Sequence, residues 1–83
     1  MKLMLFTGSW CIPCQQMKPI VKEVAEERGI GLNIIDVETE TETTNAYMVR
    51  GVPTLILLDD IGVEINRASG AMGKEQVIDF LEK

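Results

Sequence analysis

Two cysteines three residues apart, in Trp10-Cys11-Ile12-Pro13-Cys14, separate a strand-like run from a helical one, and the chain contains no other cysteine. At the start of a helix this spacing puts both sulfurs on one turn, close enough to bond. A thiolate there faces unpaired backbone N–H groups and the positive end of the helix dipole, which favour its charged form. As a structural staple the pair would do little, because closing so small a loop contributes only about 2 kcal/mol in the chain-entropy account. A structural zinc site within one chain needs four Cys or His ligands, and two cysteines with no histidine do not supply them. The spacing therefore predicts redox chemistry at Cys11 and Cys14, with no metal.

Length sets the frame for that chemistry. The 83 residues predict a single domain over 1–83, which at this size buries a little over about 60% of its unfolded surface in one core. A net charge of -5, with the eight basic residues scattered, excludes a nucleic-acid face. Leu3 to Phe6 is too short an apolar run for a signal-peptide core or a membrane span, and Asn33, Asn45 and Asn66 all lack the Ser or Thr that glycosylation needs two residues on. The expected compartment is a reducing cytoplasm, where a cycling disulfide is common and a persistent one is not.

The hydrophobic pattern predicts βαβαββα. Leu3–Phe6 reads as a strand buried on both faces and so central in its sheet. From Cys11 to Arg28, Met17, Ile20, Val21, Val24 and Ala25 recur at helical spacing, Gly29 ends the helix, and Pro19 interrupts it with a predicted kink. Leu32–Val37 is the second strand. The run Glu38 to Thr44 supplies acidic helix-start chemistry for a short helix through Ala46, Tyr47 and Val49, with Gly51 as its stop. Val52–Leu58, opened by Pro53, turns at Asp59 to Gly62 into an alternating strand, Val63–Arg67. Gly70 to Gly73 breaks the chain before a last helix that buries Val77, Ile78, Phe80 and Leu81. A right-handed crossover makes the first two strands parallel and the tight turn makes the last two antiparallel. The result is an α/β fold, a mixed four-stranded sheet with helices on both faces. Tyr47 and the five methionines are expected in the core, and Arg50 on the surface.

Ser9 to Cys14, Pro19, Arg50-Gly51-Val52-Pro53-Thr54 and Gly70-Ala71 occur in the order in which the thioredoxin family carries its active-site motif, its helix-kink proline, its cis-proline segment and its glycine loop. The chain resembles that family over nearly its whole length, as a minimal version without the extra strand and helix at the start and closer in length to glutaredoxins. The resemblance implies a thioredoxin fold and a redox-active Cys11–Cys14 disulfide with no bound cofactor. Cys11, more exposed, would be the nucleophile and Cys14 the resolving thiol. Trp10, Ile12, Pro13, Val52, Pro53, Gly70 and Ala71 would form an apolar substrate-docking rim, with the Val52 backbone free to pair with an extended segment and Pro53 cis. Implied partners are disulfide-containing proteins and, as electron donor, an NADPH-linked thioredoxin reductase or glutathione, with the chain itself a monomer.

Three positions depart from the family. Leu5 and Ile34 stand where thioredoxins carry a buried aspartate and a lysine, so the proton that Cys14 must lose has no side-chain acceptor and is expected to go to water, slowing the second step. Ile12 replaces the usual glycine. A Cys11 pKa lowered from about 8.5 to about 7, the value the resemblance lends, raises the thiolate fraction at neutral pH roughly fifteenfold. A Brønsted slope of about 0.4–0.5 leaves only about three- to fourfold in attack rate. Proximity of Cys14 and the leaving ability of Cys11 are then the larger effects. Two other readings stay open: a glutathione-dependent glutaredoxin-like reductase, against which Trp10 and the lack of a tyrosine in the motif weigh, and a non-catalytic binding subunit using the same groove.

Overall fold

A run with no polar face must be covered on both sides. In the computed structural model, whose described residues are 1–82, Leu3 to Phe6 is covered in that way. The elements in chain order are β1 (Lys2–Thr7), α1 (Ile12–Arg28), β2 (Gly31–Asp36), α2 (Thr41–Ala46), β3 (Thr54–Leu58), β4 (Glu64–Ser69) and α3 (Lys74–Leu81). The strands lie in the order β2-β1-β3-β4, with β1 parallel to β2, antiparallel to β3, and β3 antiparallel to β4.

Alternation along the inner strands divides the core in two. Leu3, Leu5, Leu55 and Leu57 pack with Met17, Val21 and Val24 of α1 and with Val77, Phe80 and Leu81 of α3. Met4, Phe6, Ile35, Ile56 and Leu58 face the other way, against Val37, Tyr47, Val49 and Val52 from the segments flanking α2. Phe6 is fully buried, with its ring centroid 6.0 Å from that of Tyr47. Exposed ion pairs from Lys74 to Glu23 and from Arg28 to Glu82 join α3 to α1 and orient the two helices more than they stabilise them.

Helix ends decide where the prediction and the structure part. α1 runs unbroken through Pro19 and stops at Gly29 (φ 65°), with Ile30 N–H donating to the Ala25 carbonyl at 2.9 Å. The same six-residue closure ends α2, where Val49 N–H donates to Thr44 at 3.1 Å, and the left-handed residue is Met48 (φ 54°). The predicted stop at Gly51 is therefore three residues late. Met48 is also 73% exposed and Met1 is exposed, so these two methionines leave the core expected of all five. β3 begins at Thr54, the first residue after Pro53 able to donate to a ladder, instead of at Val52. β4 runs Glu64–Ser69, starting one residue after the predicted Val63 and ending beyond the predicted Arg67; Val63 just before this edge strand and Ile65 within it are exposed.

Candidate functional site

β1 carries the chain straight to the cysteines. After Thr7 a turn brings Cys11 N–H to the Gly8 carbonyl at 3.1 Å, and the Gln15 side-chain amide donates to the same oxygen at 3.0 Å. Cys11 thereby becomes the N-cap of α1, in extended conformation (φ -91°, ψ 104°), with Ile12 and Pro13 opening the helix. Its Sγ accepts from Cys14 N–H at 3.2 Å, the role an N-cap oxygen plays in other helices. The two cysteines are joined as a disulfide with Cα atoms 5.2 Å apart, inside the range such a bond spans without backbone movement. Cys11 keeps 8% of its surface exposed and Cys14 none.

That asymmetry has a chemical consequence. When the bond opens, a backbone donor and the end of the helix dipole are already aimed at the Cys11 sulfur, and burial works against ionising Cys14. The less buried cysteine is also the one toward which the donor and the dipole point.

Trp10 is 59% exposed, and its place is set by Gly8. A Cβ at Gly8 would lie 2.1–2.6 Å from three atoms of the indole ring, so the ring rests on bare backbone there. Gly8→Ala is expected to displace Trp10 at an overpacking cost of about 1–3 kcal/mol. The emission of this single tryptophan and the thermal midpoint should both change. An unchanged spectrum would show that the ring has another anchor.

Val52–Pro53 is a cis peptide. The Pro53 carbonyl accepts from Gly70 N–H at 2.9 Å, and Thr54 Oγ1 donates to the Gly51 carbonyl at 2.7 Å, so the proline segment and the glycine loop are held side by side. Gly70 sits at φ 100°, which excludes a side chain without strain. Among the described residues no hydrogen bond involves the Val52 backbone.

The predicted rim divides into two grooves. Trp10 and Val52 line one of about 190 Å³ together with Val37, Thr44, Val49, Arg50 and Gly51. Pro13 and Ala71 line another of about 280 Å³ with Gln16, Ile20 and Met72. Ile12 is 70% exposed. Val37 and Val49 are legible in the sequence only as apolar residues at element ends, and nothing local marks them as groove walls. Leu5, fully buried, pairs in register with Ile34, so the two positions where an acid and a lysine are missing are indeed neighbours. Glu38 accepts a hydrogen bond from Ser9 Oγ at 3.2 Å, tying the acidic run to the turn before Trp10. Among the described residues no three His, Cys, Asp or Glu side chains form a metal-binding group, and no helix is long and apolar enough to cross a membrane.

Comparison with known proteins points one way. A family model described as Thioredoxin matches residues 1–83. A thioredoxin of Mycobacterium tuberculosis is 39% identical over 75 residues, covering 88% of this chain and 64% of that protein. A thioredoxin of Listeria monocytogenes is 34% identical over 80 residues, covering 94% and 77%. The solved structure of thioredoxin 1 from Thermosipho africanus matches with a TM-score of 0.90 at 30% identity, covering 99% of this chain and 91% of that one. Against the mycobacterial proteins the chain spans 64% of their length.

Proposed function

The chain belongs to the thioredoxin family, and we propose that it is a thiol-disulfide oxidoreductase that reduces protein disulfides through Cys11 and Cys14. The observation that carries this reading is the Cys14 N–H aimed at the sulfur of Cys11, the less buried of the two cysteines, beside a fully buried Cys14. In the reduced chain the Cys11 thiolate attacks one sulfur of a substrate disulfide, whose other sulfur leaves as a thiolate and takes up a proton. Cys14, losing its own proton, then attacks Cys11 and expels the second substrate sulfur. Both cysteines end oxidised and the substrate ends as two thiols. Because Cys14 is already on the same turn, the second attack is effectively intramolecular.

The groove between Trp10 and Val52 gives an extended substrate segment an apolar seat, and the unpaired Val52 backbone gives it a strand-like partner. Ile12, Pro13, Pro53, Gly70 and Ala71 complete the contact surface. Such a face suits a polypeptide better than glutathione, so the electron donor we favour is an NADPH-linked thioredoxin reductase. Insulin reduction followed with that reductase, and in parallel with glutathione and its own reductase, tests the reading. Faster turnover with the thioredoxin reductase is expected. Turnover with glutathione alone would reassign the chain as glutaredoxin-like, and none with either donor would leave the binding-subunit reading.

A further inference from the structure

The two edges of the sheet are built differently. β4 is guarded: its ladder with β3 is bulged at Ile65, which has no partner between the pairs Leu57–Asn66 and Leu58–Glu64. Glu64 and Arg67 are charged and joined at 2.7 Å, and the outward Arg67 N–H donates to the Asn66 side-chain carbonyl at 2.9 Å. A bulge, charges and a capped donor are means by which edge strands avoid further pairing. β2 has none of them over most of its length. From Gly31 to Ile35 it carries no charge and no proline, as in the inner strand β3, and its register with β1 runs unbroken from Gly31 to Asp36.

The free backbone groups of this edge follow from the ladder. Val37 N–H donates to the Thr7 carbonyl at 3.0 Å, and Thr7 pairs with Asp36. In a parallel ladder this turns the backbones of Gly31, Asn33 and Ile35 toward β1 and those of Leu32, Ile34 and Asp36 outward. The Asp36 carbonyl is already taken, accepting from Glu40 N–H at 2.8 Å, and the neighbouring Ile30 N–H donates to the Ala25 carbonyl at 2.9 Å. Leu32 and Ile34 remain, and among the described residues no turn, cap or side-chain hydrogen bond reaches their backbones.

That short edge is complementary to itself. When a second copy is turned about a two-fold axis at Asn33, Leu32 of each copy lies opposite Ile34 of the other, and each such pair exchanges two backbone hydrogen bonds. The side chains agree with the register. Leu32 and Ile34 share the α1 face with their partners Leu3 and Leu5, so each gains an apolar neighbour. Exposed Asn33 lies on the opposite face and meets the same residue of the copy, where one amide donates to the carbonyl of the other. Moving the axis to Leu32 or Ile34 would call on the Ile30 N–H or the Asp36 carbonyl, which are both occupied. A net charge of -5 opposes self-association in general, but this register sets no like charges against each other.

We infer that the chain forms a two-fold dimer by antiparallel pairing of β2 with β2 of a second copy, joining two four-stranded sheets into one. The dimer replaces the monomer that the family resemblance implies. The pairing uses no residue of the Trp10 groove, and no sulfur takes part, so it stands apart from the reductase reading.

The test is sedimentation equilibrium of the full chain up to about 1 mM, with amide hydrogen exchange at the same concentrations. A dimer is expected, and exchange at the Leu32 and Ile34 amides should slow about tenfold or more as it forms. Asn33→Asp and Asn33→Lys each set like charges face to face at the axis and should weaken association about tenfold. Asn33 is exposed, so neither variant disturbs the core. An equimolar mixture of the two variants opposes unlike charges and should restore the dimer. A chain monomeric throughout the range overturns the inference, as does a dimer that neither variant weakens, which would lie on another surface. Protection of Leu32 and Ile34 that appears only when a disulfide-containing protein is added would give the edge to a substrate strand, and would overturn it as well.

Discussion

A Cys14→Ser chain, reduced and mixed with a disulfide-containing protein, is expected to stop after one attack and accumulate as a covalent adduct. Cys11 retains all that makes it the nucleophile: its 8% exposure, its place at the helix start and the backbone N–H of residue 14, which a serine also carries. What disappears is the second sulfur. Resolution then depends on an external thiol, and the loss of a well-oriented intramolecular partner lowers turnover by a factor of about 10³ or more, well within the range of measured effective molarities. Mass spectrometry under non-reducing conditions should show the chain plus one substrate, released by dithiothreitol. Cys11→Ser should form no adduct, since the remaining thiol is fully buried. An adduct with Cys11→Ser and none with Cys14→Ser would reverse the two roles. Adducts of equal yield with both variants would show that neither exposure nor the N-cap position selects the nucleophile.

The parts of this site that can be read in the sequence are those whose residue type is itself the chemistry. Two cysteines on one helical turn, a proline opening a strand and a glycine at a chain reversal keep their meaning wherever the chain goes. The fold follows from similar local logic: Leu3–Phe6 has to lie inside the sheet, and Asp59 to Gly62 has to turn. What stays hidden depends on neighbours far along the chain. Gly8 reads as a strand end, yet its function is to leave room for the Trp10 ring. Met48 carries no signal for a left-handed residue, and α2 nonetheless ends there because Val49 N–H reaches back to Thr44. Gly51, the better glycine stop by composition, lies instead among the residues lining the Trp10 groove. Val37 and Val49 become groove walls only once α2 has folded back over the sheet. Departures from the family pattern are equally visible at Leu5 and Ile34, but that the two face each other across β1 and β2 requires the register.

Restoring an acid at the first of those positions is expected to damage the chain, and to do so in a pH-dependent way. Leu5 is fully buried among Leu55, Met17 and Val21. In Leu5→Asp the lost packing alone costs about 2–5 kcal/mol, as for other large-to-small core changes. Burial without a positive partner also raises the folded-state pKa of the new carboxyl above the unfolded value of about 3.9. Below that value both states are protonated and only the packing cost remains. As pH rises toward the raised pKa the unfolded chain sheds its proton and the folded chain does not, so stability falls, by about 1.4 kcal/mol per pH unit across the gap between the two pKa values, and levels off above it. A gap of about three pH units therefore adds about 4 kcal/mol at neutral pH, enough with the packing loss to consume most of the stability of a domain this small. Urea unfolding at pH 4 and pH 7.5 should show the deficit growing between them. Ile34 is the register partner of Leu5, and adding Ile34→Lys supplies the missing opposite charge, so the double variant should recover part of the pH-dependent loss, with a coupling of about 0.5–3 kcal/mol. A deficit equal at both pH values, or a double variant no better than the sum of its parts, would show that position 5 is open to solvent or that position 34 does not face it. In that case the tolerance of a missing acid would not follow from the pairing of Leu5 with Ile34.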